Sequence, residues 1–305
     1  MTTAGDIEIR PARRPDCARL ADFLSRTPAA PGAAVGTAPF LDPSPRNQIV
    51  AVQSGEIVGA CVFIPGSGRC AALLPPRLIE WDEGLAARLL RAAAARVYQR
   101  DGARLIQALT EPHGESALAG ALARAGLEPL AMLAYLRRSV LPLERDLPLP
   151  PDIEWRHYGY LKRRQFAETI AETYKDSLDC PRLAGLRTVD DAITTHKHTG
   201  FFTASAWNLA MKNRLPAGVV LVNNLQGRGE VVYLGTVGSA RRQGIGRALI
   251  TRAIRDTALM GLPTIGLAVD VANTPALRLY EAAGFREIRR RMAYFIPATR
   301  LDTLV

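Results

Sequence analysis

The sequence predicts an α/β (α+β) protein made of two similar domains. Short apolar runs typical of strands alternate with longer segments of helical apolar spacing along the 305 residues. The same order of strands and helices occurs twice, and the length is sufficient for two hydrophobic cores. A proline-rich segment at 141–151 separates the two copies. We therefore predict domains at 1–140 and 152–305, joined by an extended linker at 141–151.

Alternation and helical spacing give the elements of the first half in order. Strands are predicted at 7–10, 48–52, 57–65, 69–74, 104–109 and 130–138. Helices are predicted at 16–25, 82–100 and 115–125. The stretch at 27–45, rich in Pro, Ala and Gly, is predicted to be irregular.

The second half follows the same order. Strands are predicted at 153–156, 204–211, 217–223, 231–237 and 264–270. Helices are predicted at 163–175, 189–198, 247–260 and from 273 to a stop at Gly284, a residue typical of the position after a helix. The run 286–291, with four arginines, is predicted to be either a basic contact surface or, with more weight, a solvated strand face.

Composition excludes several classes of protein. No segment has the 18 or more apolar residues of a membrane span, and residues 1–10 do not form a secretory signal, so we expect a cytoplasmic protein. The four cysteines show no Cys-x-x-Cys pairing, which favours reduced thiols over disulfides or zinc. His196 and His198 are two residues apart, which places them on different faces of a helix, and we expect no metal.

Positive charge is concentrated in the second half. Residues 1–150 hold 17 Lys+Arg against 15 Asp+Glu, and residues 151–305 hold 22 against 14. A basic domain can bind nucleic acid, but only 6% of the residues are aromatic and no basic stripe is interleaved with stacking side chains. A polyanionic small molecule explains the asymmetry better than nucleic acid.

A glycine-rich turn is predicted between the strand at 231–237 and the helix that follows it. Gly244 and Gly246 let the backbone approach a ligand closely, and a helix that begins there directs its free N–H groups at the same point. Such a turn fits a diphosphate, with Arg241, Arg242 and Arg247 adding charge. A dinucleotide site fits poorly, because Leu249 stands where that fingerprint needs glycine or alanine.

Two motifs in this half together resemble the GCN5-related N-acetyltransferase (GNAT) superfamily. The first, Arg-x-x-Gly-x-Gly, is carried by Arg241, Gly244 and Gly246. The second, Asn-x-x-Ala-x-x-Leu-Tyr-x-x-x-Gly-Phe, is carried by residues in the same order, Asn273, Ala276, Leu279, Tyr280, Gly284 and Phe285. The resemblance implies two tandem acyl-CoA N-acyltransferase (GNAT) domains, each with a mixed, mostly antiparallel sheet flanked by helices.

The resemblance also implies a function and a set of site residues. The function is transfer of an acetyl group from acetyl-CoA (coenzyme A) to a primary amine in a ternary complex. Tyr280 would protonate the departing thiolate. Glu230 would be the base, because it lies sixteen residues before Gly246, the spacing of the catalytic glutamate in histone-acetylating relatives. The cofactor-binding residues would be Thr236, Val237, Arg241, Arg242, Gln243, Gly244, Ile245, Gly246, Arg247 and Asn273.

The residues of this site also have simpler interpretations. Glu230 could be a strand-edge charge opposite Arg228, Tyr280 a core aromatic, and Asn273 a helix N-cap. On the substrate side, the superfamily places the segment between its first two helices over the acceptor. The candidates for substrate contact in that segment are therefore Asp176, Asp179 and Cys180. These residues could equally be helix caps and turn residues.

The first half resembles a degenerate copy of the second. Ala125-Gly126-Leu127 aligns with Ala283-Gly284-Phe285 at an offset of 158 residues. At that offset Gly244 corresponds to Ala86. The helix start there carries Glu80, Asp82 and Glu83, which would repel a diphosphate. We predict a first half without a cofactor site.

The sequence does not identify the acceptor or the oligomeric state. We expect a small-molecule or peptide amine acceptor, with no membrane and with nucleic acid disfavoured. A non-catalytic acyl-CoA sensor or adaptor is the alternative function.

Overall fold

The computed structural model describes residues 6–31, 33, 45–112 and 116–304. The chain forms two compact units. Unit 1 consists of Met1–Ala131 together with Arg291–Val305, and unit 2 consists of Met132–Arg290. Within the described ranges, no helix is both long enough and apolar enough to cross a membrane. The predicted irregular stretch at 27–45 lies largely outside the described residues, as does Glu115 at the start of a predicted helix.

The first part of the chain contains seven strands and three helices among the described residues. In chain order these are β1 Glu8–Pro11, α1 Cys17–Arg26, β2 Gln48–Gln53, β3 Glu56–Gly66, β4 Cys70–Leu73, β5 Arg77–Leu78, α2 Glu83–Asp101, β6 Leu105–Thr110, α3 Ala117–Arg124 and β7 Glu128–Ser139.

The remaining elements repeat this alternation. They are β8 Ile153–His157, α4 Arg163–Tyr174, α5 Val189–His198, β9 Phe201–Lys212, β10 Leu215–Leu225, β11 Arg228–Thr236, α6 Ile245–Leu259, β12 Thr264–Asp270, α7 Thr274–Ala282, β13 Arg286–Phe295 and α8 Ala298–Leu301.

The sheet of unit 1 is mixed and mostly antiparallel. Strands β1, β2, β3, β4 and β6 lie side by side in that order, and of these only the β4–β6 pair is parallel. Next to β6, the end of β13 pairs antiparallel from Met292 to Phe295. Helix α2 buries Leu89 and Leu90 against this sheet, in one core with Phe63 and Ile106. Helix α1 packs Phe23 against Val50 of β2 in a second core, so the sheet has a core on each face.

The sheet of unit 2 has the same character. Its order is β7, β12, β11, β10, β9 and β8, and the β11–β12 pair is parallel while the others are antiparallel. Successive residues of β10 alternate between two cores, as the strand period of two requires. Val220 faces the core of α6 and α7, and Leu221 faces the core of α4 and α5. The predicted mixed sheet flanked by helices is confirmed.

The compact units differ from the linear division at 141–151. Strand β7 comes from the first half of the sequence, but its residues Leu133–Ser139 pair with β12 of unit 2. Strand β13 comes from the second half, but its end pairs with β6 of unit 1. Each unit is therefore completed by a strand that lies outside the corresponding predicted segment.

The proline-rich segment is not extended throughout. Residues Pro142–Asp146 form a 3-10 turn that packs on α6. Within it, Glu144 is buried, accepts the Leu141 amide at 2.8 Å and pairs with Arg138 at 2.5 Å. A buried and paired carboxylate fixes this segment to unit 2, which is why it does not behave as a free spacer.

Candidate active site

Strands β11 and β12 separate soon after they pair. Their parallel register contains two pairs, Gly229 with Ile265 and Glu230 with Gly266. Beyond these pairs β11 continues to Thr236 and β12 to Asp270. On the other edge of β11, the register shift between Leu221 and Val222 of β10 leaves Val232 without a partner, as in a β-bulge. Because the strands diverge, backbone N–H and C=O groups near the end of β11 are not hydrogen-bonded to β12. A ligand can form hydrogen bonds with them there.

The glycine turn that follows β11 leads into an uncapped helix. Gly244 has φ +79°, a left-handed conformation that glycine adopts without strain. It is the N-cap of α6, and as a glycine it has no side chain that could accept a hydrogen bond from the first turn of that helix. Its first N–H groups and the positive end of its dipole are therefore available to an anion.

Two arginines at this turn are exposed. Arg242 and Arg247 make no hydrogen bond or ion pair with any residue that the structure describes. Gln243 is also exposed, and its side chain donates to the carbonyl of Ser239 at 2.9 Å. Two free guanidinium groups beside an uncapped helix start fit the charge and the acceptor atoms of a diphosphate.

Arg241 is placed differently from these two arginines. Its Nε donates to the carbonyl of Thr236 at 3.4 Å, and its Nη2 donates to the carbonyls of Lys175 at 2.6 Å and Thr173 at 3.5 Å. Its Nη1 donates to the carbonyl of Asp176 at 3.1 Å. Four of its five N–H donors are thus committed to backbone, so the side chain holds the fold around the turn.

Gly246 has a packing role in the structure. A Cβ at this position would lie 3.2 Å from Leu279 Cδ2 of α7, which is closer than most real contacts. Ile245 is buried beside it, and Val237 is buried and donates its N–H to the carbonyl of Ala217 at 3.1 Å. These residues bring α6 close to α7 and fix the end of β11.

Tyr280 lies on α7 and is only 7% exposed. Burial and, next, the negative charge of Asp179 raise the pKa of its hydroxyl well above the usual value. The phenol therefore remains protonated at neutral pH, which a proton donor requires. Its ring packs against Phe285, with 6.1 Å between the ring centroids.

Glu230 lies where β11 and β12 are still paired. Its carboxylate accepts from Arg228 Nε at 3.2 Å, and its side chain is 17% exposed. Burial raises the pKa of Glu230, while the charges of Arg228 and Arg137 act against this rise. The ion pair with Arg228 is the simpler role that the sequence left open, and the raised pKa is compatible with a base.

The predicted substrate-side residues lie against the end of β12. Asp179 Oδ1 accepts the N–H of Asp270 at 3.1 Å, and the N–H of Cys180 donates to Asp270 Oδ2 at 3.3 Å. The side chain of Asn273 caps α7 by accepting from Ala276 at 3.3 Å, and it also hydrogen-bonds Asp179. Asn273 therefore has the local N-cap role, and it links the α7 start to the segment after α4.

Asp179 has the environment of a cleft residue. The residue is exposed, yet desolvation by the surrounding protein is the largest influence on its carboxyl and raises the pKa. Its charge acts on Tyr280 and on the nearby thiol of Cys180, whose pKa is raised to about 12 by burial and then by Asp179 and Asp270. The structure thus brings Asp179, Cys180 and Tyr280 together. Glu230 is separate, because Gly266 and Asp270 are four residues apart on β12, which is about 13 Å.

An aromatic wall beside this cleft was not predicted from the sequence. Tyr233 of β11 hydrogen-bonds Thr173 at 2.6 Å and packs edge-on against Tyr174, with centroids 5.6 Å apart. His196 lies tilted on Tyr233 at 5.5 Å, and burial lowers its pKa to about 3, so it is neutral at physiological pH. The helical stripe containing Tyr174 was visible in the sequence, but its meeting with β11 depends on tertiary packing.

In unit 1 the corresponding helix, α2, has an acidic residue as its N-cap. Asp82 accepts the N–H of Leu85 at 2.6 Å at the N-terminus of α2, and Glu83 pairs with Arg124 at 2.6 Å. The parallel pair β4–β6 keeps its register over three residues from Cys70 to Ala72. A carboxylate therefore occupies the position where α6 leaves its N–H groups free.

Comparison with known proteins finds similarity to one family of acetyltransferases. The model of the acetyltransferase (GNAT) family matches residues 167–285, which include the glycine turn and Tyr280. The crystal structure of a GCN5-related N-acetyltransferase from Sphaerobacter thermophilus aligns with 96% of each chain, with a TM-score of 0.60 and 17% identity. Residues 167–285 are similar to this family, and the chain has the fold of a GCN5-related N-acetyltransferase.

The similarity of fold extends over nearly the whole chain. A tandem GNAT protein from the clavulanic acid biosynthesis pathway aligns with 96% of this chain and 99% of its own, with a TM-score of 0.54 and 15% identity. The mycothiol acetyltransferase of Acidothermus cellulolyticus is 33% identical over 201 residues, which are 57% of each chain. The match thus spans less than two thirds of that relative. The predicted tandem arrangement of GNAT domains is confirmed.

Proposed function

We propose that this protein is an acetyl-CoA-dependent N-acetyltransferase whose active site lies in unit 2. The proposal depends on one observation. Strand β11 separates from β12 after Glu230 and leads through the glycine turn to an uncapped helix start, and a buried, protonated Tyr280 lies beside the cleft. This arrangement offers main-chain donors for a carbonyl, an anion site for a diphosphate and a proton for a leaving group.

The donor site is assigned to the turn after β11. The N–H groups at the start of α6 and the free side chains of Arg242 and Arg247 would hold the diphosphate. The end of β11, at Thr236 and Val237, would align the thioester, and Gly246 allows α7 to approach. The bound thioester supplies the acetyl group. Asn273 contributes indirectly, by capping α7 and orienting Tyr280.

The chain's own groups then move two protons. As the amine nitrogen bonds to the acetyl carbon and the carbon–sulfur bond breaks, Tyr280 would give its hydroxyl proton to the departing sulfur. The new amide nitrogen would then release its surplus proton, which restores the Tyr280 hydroxyl. The amine must lose a proton to attack, which for a lysine-like amine at pH 7 costs about 4–5 kcal/mol. Glu230 is assigned as the acceptor of that proton, through a relay of several water molecules if the amine lies at the Asp179 end of β12, about 13 Å away.

The acceptor is proposed to be a small-molecule amine. Several relatives with similar sequences are named mycothiol acetyltransferases, so a mycothiol-related amine is the first acceptor to test. The cleft offers Asp179 and the ring of Tyr174 as accessible contacts for a cationic or sugar-bearing acceptor.

Unit 1 is proposed to be a degenerate GNAT domain without a cofactor site. Its helix α2 has an acidic N-cap, which satisfies the N–H group that a diphosphate would use and adds negative charge. Binding of one coenzyme A per chain is therefore expected.

Calorimetric titration with acetyl-CoA tests the donor site, and mass spectrometry of an amine panel tests the reaction. The panel contains glucosamine, a cysteinyl amino sugar, spermidine and a short peptide. We expect one binding site and a product 42 Da heavier for an amino-sugar acceptor. Binding without any acetylated product would favour a non-catalytic acyl-CoA sensor, and an absence of binding would refute the proposal.

A further inference from the structure

The segment after α4 is tied to the turn after β11. We call residues 175–180 the bridging loop. Arg241 Nη2 donates to the carbonyl of Lys175 at 2.6 Å, and Arg241 Nη1 donates to the carbonyl of Asp176 at 3.1 Å. The same guanidinium contacts the last turn of α4 through the carbonyl of Thr173 at 3.5 Å. One side chain thus fixes the beginning of the loop.

The other end of the bridging loop is tied to β12. Asp179 Oδ1 accepts from the N–H of Asp270, and Asp270 Oδ2 accepts from the N–H of Cys180. The loop therefore links the two strands that separate, since Arg241 follows β11 and Asp270 ends β12. It lies beside the cleft, because the charge of its Asp179 acts on Tyr280 and Tyr233.

The hydrogen bonds to Arg241 and Asp270 stabilise an unfavourable backbone conformation in the bridging loop. Asp176 has φ +52° and Cys180 has φ +45°, which are left-handed conformations that residues other than glycine rarely adopt. Each costs about 1–3 kcal/mol and persists only when surrounding contacts hold it. The carbonyl of Asp176 and the N–H of Cys180 are each held by one of the ties just described.

We propose that Arg241 is a positioning residue for the acceptor side of the site, which acts through the bridging loop and not by contact with the donor's diphosphate. The proposal rests on the acetyltransferase function proposed above. Its four hydrogen bonds to carbonyls use the fixed fork of an arginine, which a lysine cannot reproduce. The charge for the diphosphate comes from Arg242 and Arg247, whose side chains are exposed.

Hydrogen exchange of residues 175–180 tests the tie directly. In R241Q and in R241K, we expect exchange in the bridging loop to become about five- to tenfold faster than in the wild type, because hydrogen bonds worth about 1 kcal/mol are lost. R242Q is the matched control, since it removes a neighbouring guanidinium that does not contact the loop. D270N weakens the hydrogen bond between Asp270 and the N–H of Cys180, and it should make exchange of the Cys180 amide faster by a similar factor.

Calorimetry with acetyl-CoA distinguishes the proposed role of Arg241 from that of Arg242. R242Q should weaken binding about tenfold or more, whereas R241K should bind within about threefold of the wild type. With the best acceptor of the amine panel, R241K should raise the KM for the amine at least fivefold and leave the KM for acetyl-CoA nearly unchanged. A residue with only a general structural role would not produce this split.

Unchanged exchange at 175–180 in both Arg241 variants would overturn the proposal. A loss of acetyl-CoA affinity in R241K as large as that in R242Q would also overturn it, because Arg241 would then act on the donor. Failure of the wild type to bind acetyl-CoA would refute the proposed function instead, and the exchange comparison would still test the tie. If R241Q does not fold, hydrogen exchange and acetyl-CoA affinity are compared between R241K and the wild type alone.

Discussion

The protonation states of single groups in the cleft follow from burial. Desolvation raises the pKa values of Tyr280 and Glu230 and lowers that of His196. Each shift favours the neutral form of the group, as expected in a site that excludes water. Tyr280 is thereby kept ready to donate a proton, and Glu230 is brought closer to the pH at which a carboxylate accepts one.

Replacing Tyr280 with Phe tests the proposed acid. The ring and its contact with Phe285 remain, so the fold and the donor site should be unaffected. Without the hydroxyl, kcat should fall about 100-fold, which is typical for loss of an acid or base, and the acetyl-CoA dissociation constant should change less than twofold. Steady-state kinetics and calorimetry measure the two quantities. An unchanged kcat would remove Tyr280 from the chemistry.

The pH dependence of activity tests Glu230. A carboxylate must be ionised to accept a proton, and its pKa is raised, so kcat/KM should decrease as the pH falls through that raised pKa. E230Q should lower kcat/KM about 100-fold and abolish this acid limb. R228Q removes the charge that opposes the rise, and it should move the acid limb to higher pH. An identical acid limb in E230Q would assign it to another group.

At the scale of elements, the beginning of α6 differs from those of α2 and α7. Helices α2 and α7 begin with side-chain caps, from Asp82 and Asn273. Helix α6 begins with Gly244, which has no side chain to offer. The N–H groups that remain free at α6 are the physical basis of the proposed diphosphate site.

Substitution of Gly244 tests this turn. At φ +79° an alanine is strained by about 1 kcal/mol, so G244A should distort the turn and weaken acetyl-CoA binding at least tenfold. Gly238 is the matched control. It has no atom within 4 Å of an added Cβ and no positive φ, so G238A should bind normally. Equal affinities of the two variants in calorimetry would place the diphosphate elsewhere.

At the scale of the whole molecule, the two units do not correspond to two consecutive segments. Unit 2 needs residues 133–139 to pair with β12, and unit 1 needs the end of β13 to pair with β6. In each case a strand supplied by the other half of the sequence completes the sheet.

Fragments cut at the proline-rich segment test this exchange. Residues 152–305 alone would lack β7, and would leave seven paired positions of β12 as an open edge. Residues 1–140 alone would keep β4 beside β6 but would lack β13, the other partner of β6. We expect both fragments to be poorly folded when expressed separately and to recover native circular dichroism when expressed together. Two independently folded fragments would contradict the exchange.

The sequence by itself predicted much of the fold. Apolar periodicity gave the alternation of strands and helices, and the helix predicted at 247–260 is observed as Ile245–Leu259. The two motifs carry the resemblance to the GNAT superfamily, because glycine and capping residues act locally and leave a fixed spacing in the chain. The roles that the motifs assign to Tyr280, Glu230 and the donor-site residues stay predictions until they are measured.

Only the tertiary structure decided the partners of the site residues. Arg241 and Asp179 bind backbone groups that are 65 to 91 positions away in the chain. Strand β7, from the first half of the sequence, pairs in the sheet of unit 2, and the end of β13, from the second half, pairs in the sheet of unit 1. Such pairings depend on which surfaces meet after the sheets form, and residue spacing along the chain does not encode them. Local backbone chemistry therefore determined the elements and the motif, whereas long-range packing determined how the acceptor side is held together.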